Sequence, residues 1–414
     1  MKPASIAAFF LIVMTAYAGV NLYLGKRIFQ SLCALYPKTN TAIFIAIYAL
    51  IAVLMIVLNF ATFATLPTAV RDILRWSGAC WMGFFIYALM LFLAADAAIA
   101  VGRLAKLIPS PIPQNIRMYA GIAVITLTAA LIAYGIVNAS KIKITSYSVR
   151  LNDNKSLPGG MNIVLASDLH IGAAGSERRL PKIIDAINKQ KPDLICLAGD
   201  IFNDNYNSVL DPERASELFK SLKATYGVYA CPGNHDAGKS AEEMIDFLVR
   251  SNVKLLSDGF DIVNGQTAVI GRLDPRPIGG FVGRRRAAVS ELITRTDKGD
   301  GTSITLINKD DTPTGQLQIR QLALNDNMPI IVIDHNPKSI HEYGNEVDLV
   351  LSGHTHKGQL FPANLVTKAI YTADYGHYRK EPGTPNLIVT SGAGTWGPPM
   401  RVGTHCEIVC VSLF

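Results

Sequence analysis

The apolar positions change their period near residue 140. Before it the chain carries four long apolar runs. The first lies between Lys2 and Lys26, the second from Thr39 to Val70. The third runs from Trp76 to Gly102 with only Asp96 charged, and the fourth from Met118 to Ser140. Each reaches the roughly 20 residues a helix needs to cross a bilayer. Tyr17, Tyr23, Trp76 and Trp81 stand near the ends of these runs, where an interfacial belt would place them. Past Lys141 the apolar runs shorten and alternate with amphipathic stretches. ITSYSVRLN alternates as a strand does, MNIVLASDLH begins as a continuous apolar strand, and residues 177–190 place Leu180, Ile183, Ile184 and Ile187 on one helical face. Strand LICLAGD follows. Asp211-Pro212 opens a helix as N-cap and first turn, and strand GVYACPGNHD comes next. Ser240 to Glu243 forms a capping-box pattern ahead of a helix ending near Arg250. Strands are expected near Lys254–Leu256, Phe260–Val263 and Thr267–Leu273. Residues 275–327 read as irregular and polar, with turn-rich DKGDGTS and NKDDTPTG. PIIVIDHNP, VDLVLSGHTH, NLIVTSG and CEIVCVSLF close the chain as strands. The expected organisation is an all-α four-helix transmembrane region over residues 1–140 and a soluble α/β sandwich over residues 141–414.

Charge sharpens that division. The formal net charge of +7 is carried by residues 1–140, where nine Lys or Arg face only Asp72 and Asp96; the rest of the chain is balanced. The basic balance therefore belongs to the membrane region and implies no nucleic-acid binding. Nor do the spans offer the row of polar groups a transporter would need. Lys26, Arg27, Lys38, Arg103, Lys106 and Arg117 flank the first and third connections, against Lys2, Arg71 and Arg75 opposite. Lys141 and Lys143, on that opposite side, count for less because a large domain follows them, and the balance predicts the first and third loops in the cytoplasm and the soluble domain outside. Ala16-Tyr17-Ala18 imitates a signal-peptidase site, but with three spans following, the first is expected to be retained. Six scattered cysteines without a CxxC read as small buried hydrophobes.

The chemistry gathers at strand ends. All eight histidines follow residue 165, and five of them stand where an apolar run breaks: His170, His235, His335, His354 and His356. Asp168, Asp200 and Asn234 occupy matching positions. Carboxylate and amide oxygens mixed with imidazole nitrogens suit Mn, Fe, Co or Zn and hold too much nitrogen for a Mg-only or Ca-only site. Leaving His235 aside, the seven donors Asp168, His170, Asp200, Asn234, His335, His354 and His356 exceed the needs of one tetrahedral ion and would serve two divalent ions sharing a carboxylate. His341, His377 and His405 fall outside the set. Arg272, Asp274 and Arg401 are candidates for substrate contact, whereas Trp396 reads as packing.

The blocks Asp168-x-His170, Gly199-Asp200, Gly233-Asn234-His235-Asp236, His335 and Gly353-His354-Thr355-His356 occur in order over residues 160–414. Together they resemble the calcineurin-like metallophosphoesterases. GHTHKGQ at 353–359 and GAGTWGPPMRVGT at 392–404 resemble the membrane-associated, phosphodiesterase-like bacterial branch, with Lys357 where that branch has glycine. The resemblance implies a four-layer αββα sandwich. It also implies one ion on Asp168, His170, Asp200 and His356, and a second on Asp200, Asn234, His335 and His354. A hydroxide between them would attack phosphorus, while His235, oriented by Asp236, would bind the phosphoryl oxygen or protonate the leaving group. The expected activity is hydrolysis of a phosphodiester or pyrophosphate, in a small-molecule, lipid-linked or cell-envelope substrate. The competing expectations are a non-catalytic scaffold on the same fold and a membrane sensor or transporter with a regulatory domain; the complete donor set speaks against the first.

Overall fold

The computed structural model describes residues 3–60, 66–151, 155–298, 301–311, 317–324 and 327–414. It divides into two compact units, Met1–Gly135 and Ile136–Phe414. The first is helical: α1 (Pro3–Leu35), α2 (Thr41–Phe60), α3 (Thr68–Leu104) and α4 (Gln114–Ala139), the last turn of α4 belonging to the second unit. Segments Thr41–Leu58, Thr68–Leu104 and Gln114–Ala139 are long and apolar enough to cross a membrane. Large apolar side chains such as Ile43, Leu50, Leu93 and Leu127 point outward from them, the arrangement expected of helices solvated by lipid. Asp96 accepts the Tyr23 hydroxyl at 2.8 Å and pairs with Arg27, so the lone acid of the third run is neutralised within the helical unit. Lys2 lies outside the described residues.

The second unit opens with β1 (Ile142–Val149), β2 (Met161–Ala166), α5 (Ser176–Lys189), β3 (Leu194–Ala198), α6 (Pro212–Lys220), β4 (Val228–Cys231), α7 (Ala241–Arg250) and β5 (Val253–Leu255). Next come β6 (Gly259–Val263), β7 (Thr267–Gly271), the single turn α8 (Val289–Leu292), β8 (Ile293–Lys298), β9 (Gly301–Asp311) and β10 (Leu317–Leu324). It closes with β11 (Ile330–Ile333), β12 (Leu349–Ser352), α9 (Ala363–Ile370), β13 (Gly376–Tyr378), β14 (Asn386–Val389) and β15 (Cys406–Leu413).

These strands form two six-stranded mixed sheets, ordered β1-β15-β2-β3-β4-β5 and β13-β14-β12-β11-β7-β6. Their central strands run parallel: β2 to β3 to β4 in one, β7 to β11 to β12 to β14 in the other. Parallel strands are buried on both faces, which is why LICLA and IIVI are unbroken apolar runs and MNIVLA is interrupted only by Asn162. Ile163, Leu165, Cys196, Ile331, Leu351 and Ile388 fill the space between the sheets. Helices α5, α6 and α7 cover the outer face of the first sheet through Leu180, Ile183, Phe219 and Phe247. The result is two mixed sheets packed face to face and flanked by helices, as the sandwich expected from the sequence requires.

The structure corrects two local expectations. Residues 275–327 are not irregular throughout. They contain an antiparallel sheet in the order β10-β9-β8, whose Ile304 and Leu306 alternate inward against the outer face of the second sheet. Their period of two was hidden by the polar partners between them. Residues 299–300 and 312–316, part of the segments read as turn-rich, lie outside the described residues. The capping box at α7 does not close either: Ser240 Oγ accepts the Tyr206 N–H at 2.9 Å instead of capping its own helix. At α6, Asp211 does cap, accepting from Arg214 N at 3.1 Å.

Leu351 is fully buried between the sheets. Leu351→Ala should cost about 3 kcal/mol through lost burial and a residual cavity. Thermal melting of the second unit, followed by circular dichroism, should shift down by roughly 6 °C. An unchanged midpoint would remove this side chain from the core.

Candidate metal centre

The parallel strands end at one rim, and the turns beyond those ends carry the polar residues. β2 delivers Asp168 and His170; β3 delivers Asp200; β4 delivers Asn234 and His235; β11 delivers His335; β12 delivers His354 and His356. The chain turns sharply there. Asp168, His170, Asp200, His354 and His356 all adopt left-handed backbone, with φ of 55°, 47°, 51°, 71° and 49°. This conformation costs an L-residue about 1–2 kcal/mol, and Asp and His tolerate it better than branched residues. Five such turns in one place are a strain that packing must hold, as functional sites commonly do.

Two groups of donors result: Asp168, His170 and His356, and Asp200, His335 and His354, with the ligand atoms of each group within 4.8 Å of one another. In the first, His170 Nε2 and His356 Nε2 stand 3.1 Å apart, and His356 Nε2 lies 3.3 Å from Asp168 Oδ1. In the second, His354 Nδ1 lies 3.2 Å from His335 Nε2 and 2.8 Å from Asn234 Oδ1. Asp200 Oδ2 belongs to both neighbourhoods: it is 3.1 Å from His335 Nε2 and 3.8 Å from His170 Nε2.

The donors fit divalent cations. With bonds of about 2.1 Å, ligands at right angles stand about 3.0 Å apart, close to the spacings of the ring nitrogens. The Nδ1–H of His335 donates to Ala198 O at 2.8 Å, which leaves its Nε2 lone pair facing the centre. Burial pushes His170 and His354 down to about 3, and pushes His356 well below its ordinary value with help from Arg401. Neutral imidazoles with free lone pairs are what a cation needs. The carboxylates behave differently. Burial lifts Asp168 to about 6, aided by the charge of Asp200. At Asp200 burial acts the same way but is outweighed by His335, His170 and His235, and the carboxyl is held below its usual range.

Glycines make the close packing feasible. A Cβ on Gly353 would stand 1.7 Å from Ser167 Oγ and 2.6 Å from Asp168 Oδ2; one on Gly233 would stand 2.2 Å from Asp200 Oδ1. The glycines of the G-N-H-D and G-H-T-H blocks are therefore steric requirements of the two carboxylates.

Residues 161–358 match the family model described as calcineurin-like phosphoesterase. An uncharacterized metallophosphoesterase of Campylobacter jejuni is 30% identical over 301 residues, which cover 72% of this chain and 70% of that protein. The chain belongs to the calcineurin-like metallophosphoesterases. A transmembrane protein with metallophosphoesterase domain from Danio rerio is 25% identical over 408 residues, covering 95% of this chain and 86% of that one. A Helicobacter pylori metallophosphoesterase aligns over 61% of this chain and 60% of its own length, at 28% identity. A crystal structure from Thermus thermophilus overlaps 57% of this chain and 92% of that one at 15% identity and a TM-score of 0.30. The family's divalent-metal chemistry matches the two candidate clusters in this metallophosphoesterase.

Several expected roles change. Asp236 does not orient His235. Its carboxylate accepts the backbone N–H groups of Ile201, Phe202 and Gly233 at 3.1, 2.7 and 2.9 Å, bracing the turns after β3 and β4. His235 Nδ1 lies 2.6 Å from Asp204 Oδ1 instead. Sequence reading missed Asp204 because it is one acid in the polar run NDN; its position just past Asp200 was the available signal. It also missed Ser167, whose hydroxyl donates to Asp168 Oδ2 at 2.6 Å.

Arg272 and Arg401, expected as substrate contacts, are fully buried. Arg272 pairs with Asp258 at 2.9 Å and donates to Ala287 O. Arg401 donates to the carbonyls of His356, Gly392 and Gly394, pinning the turn that carries His356. Both guanidiniums are turned to oxygens buried with them. Asp274 is buried beside the second cluster, its charge acting on His335; Oδ1 accepts Arg276 N–H at 2.7 Å, and Oδ2 has no hydrogen-bond partner among the described residues. His377 contacts Asn386 and Tyr147, His341 contacts Thr372, and His405 contacts Asn138, each apart from the clusters. Trp396, expected to be packing, is half exposed, with its ring 6.0 Å from that of His235.

Gly353→Ala should displace Ser167 and Asp168 and empty the first cluster. Elemental analysis of the purified full chain should then find metal content reduced by about half relative to the parent, with the melting midpoint showing whether the fold survives. Undiminished metal would detach Asp168 from cation binding.

Proposed function

We propose that the chain is a membrane-anchored phosphoesterase that uses two divalent ions. Asp168, His170, Asp200 and His356 hold the first; Asp200, Asn234, His335 and His354 hold the second. The observation that carries this reading is the position of Asp200 Oδ2, within 3.8 Å of a nitrogen from each cluster. A carboxylate so placed serves both ions. Divalent ions there would polarise a phosphoryl oxygen and lower the pKa of water toward about 7, so that a nucleophile exists at neutral pH.

The protein's own residues do the rest. The backbone N–H of His235 donates to Asp200 Oδ1 at 2.9 Å and fixes its carboxylate plane. Asp204 holds the His235 ring from its Nδ1 side, turning Nε2 toward the centre, 4.0 Å from Asp200 Oδ2. Burial lowers the His235 pKa, but the Asp204 hydrogen bond and the Asp200 charge outweigh it and raise it overall. The shift favours the protonated ring, placed to donate to a phosphoryl oxygen or to the departing alkoxide as the P–O bond breaks. The substrate is a phosphodiester or pyrophosphate. The four N-terminal helices act as the anchor in a bacterial plasma membrane, with residues 141–414 as the hydrolase on its outer side.

The test is hydrolysis of bis(p-nitrophenyl) phosphate by the full chain with Mn. Asp200→Asn should lower the rate by about 1,000-fold, and a chelator should abolish it reversibly. Asp204→Ala should lower kcat by about 10-fold or more while leaving KM little changed, because it loosens His235 without removing it. A parent protein that binds Mn and cleaves no phosphodiester would overturn the reading.

A further inference from the structure

Helix α9 is amphipathic the wrong way round for a soluble surface. Its polar Asn364 and Thr367 face the protein, and the Thr367 hydroxyl donates to Asp374 Oδ2 at 2.8 Å. Its large apolar side chains face out: Leu365, Val366 and Ile370 are 58%, 56% and 54% exposed, and Phe361 just ahead of the helix is 47% exposed. Trp396, 52% exposed, is tied to the same segment. Its N–H donates to Gln359 Oε1 at 2.9 Å and its carbonyl accepts from Gln359 Nε2 at 2.7 Å. An exposed, contiguous apolar surface of this kind marks a binding face.

The neighbouring loop shows what covers it. Asn138, in the last turn of α4, donates to the carbonyls of Arg401 and Thr404 at 3.0 and 2.7 Å. Between those residues, Val402 O accepts the Phe361 N–H at 2.8 Å. The end of a membrane-length helix and the start of α9 therefore grip the same short loop. From Met118 to Ala139, α4 extends about 33 Å at 1.5 Å per residue, close to the thickness of a hydrocarbon core. Asn138 stands in the last turn of that span, so the loop it holds, and the start of α9 paired with that loop, lie close to where the chain leaves the membrane-length helix. Lys368 is the charged residue exposed on α9, placed to reach headgroup phosphates, and Trp396 is the side chain an interface favours.

We propose that α9, with Phe361 and Trp396, lies in the bilayer surface and turns the rim of the metal centre toward the headgroup layer. The rim adjoins this face: the Trp396 ring lies 6.0 Å from that of His235, tilted to it, and Tyr371, directly after α9, has its ring 6.0 Å from that of His354. The substrate class that follows is a phosphodiester or pyrophosphate carried by a membrane lipid. The bilayer contact stands by itself; the substrate class rests on the phosphoesterase reading above.

The test uses the full chain in phosphatidylcholine–phosphatidylglycerol vesicles. A photoreactive benzoylphenylalanine is placed in turn at Leu365, Ile370, Leu50 on α2 and Val249 on α7, the last an exposed apolar residue in the second unit. Lipid adducts at 365 and 370, comparable to those at 50 and absent at 249, support the contact. Protein–protein adducts at 365 and 370 would assign the face to a second copy of the chain, and no adducts there would leave α9 in water; either overturns it. In the second arm, L365Q/V366Q/I370Q should cleave bis(p-nitrophenyl) phosphate within about twofold of the parent. It should cleave vesicle-borne cardiolipin, phosphatidylglycerol or CDP-diacylglycerol at least about 10-fold more slowly. Cleavage of the soluble ester with none of these lipids cleaved by the parent overturns the substrate class alone. Failure to cleave even the soluble ester is instead the failure of the phosphoesterase reading.

Discussion

Two carboxylates and four imidazoles share one buried space, and that crowding is the constraint on which the rest of the structure depends. Asp168, Asp200, His170 and His335 are almost wholly removed from solvent. Isolated charge in such a place is expensive unless it is paired or coordinates a cation. The protein meets the demand in part by itself, with Ser167 on Asp168 and the His235 N–H on Asp200. The remaining lone pairs face each other across gaps of 3.1 to 3.8 Å. A pair of divalent ions would balance them and would account for the left-handed turns at five of the seven residues.

The scaffold delivers those donors without adjusting its core. Parallel strands of both sheets end at a common rim, so every ligand comes from a turn just past a rigid, fully buried strand. Below the rim, Arg401 and Asp236 bind backbone groups rather than substrate. They act as braces: one fixes the carbonyls around His356, the other the N–H groups after β3 and β4. The sharp turns persist because such buried polar braces over-determine them.

Much of this was legible in the sequence. MNIVLASDLH and LVLSGHTH announce a buried strand and its chemistry together, because the apolar run and the polar break are adjacent in the chain. What was illegible depends on contacts between distant residues. An arginine in an apolar setting reads equally as a pocket cation or a buried brace, and only the three carbonyls around Arg401 decide. Asp236 follows His235 directly and looks like its partner, yet neighbours in an extended turn point apart, and Asp204 takes the imidazole. The β8–β10 sheet was masked by the polar stretches DKGDGTS and NKDDTPTG on either side of Ile304 and Leu306. The inversion of α9 was invisible for a similar reason: NLVTKAI shows two faces, and only the fold shows which of them meets water or lipid.

The central claim is that Asp200 joins two cations in one centre. Electron paramagnetic resonance of the full chain loaded with Mn tests this most directly, because two Mn ions bridged by one carboxylate couple magnetically. The account predicts close to two Mn per chain and the broad, temperature-dependent spectrum of a coupled pair. A six-line spectrum of isolated Mn at saturation, at one ion per chain or two uncoupled ones, would contradict it.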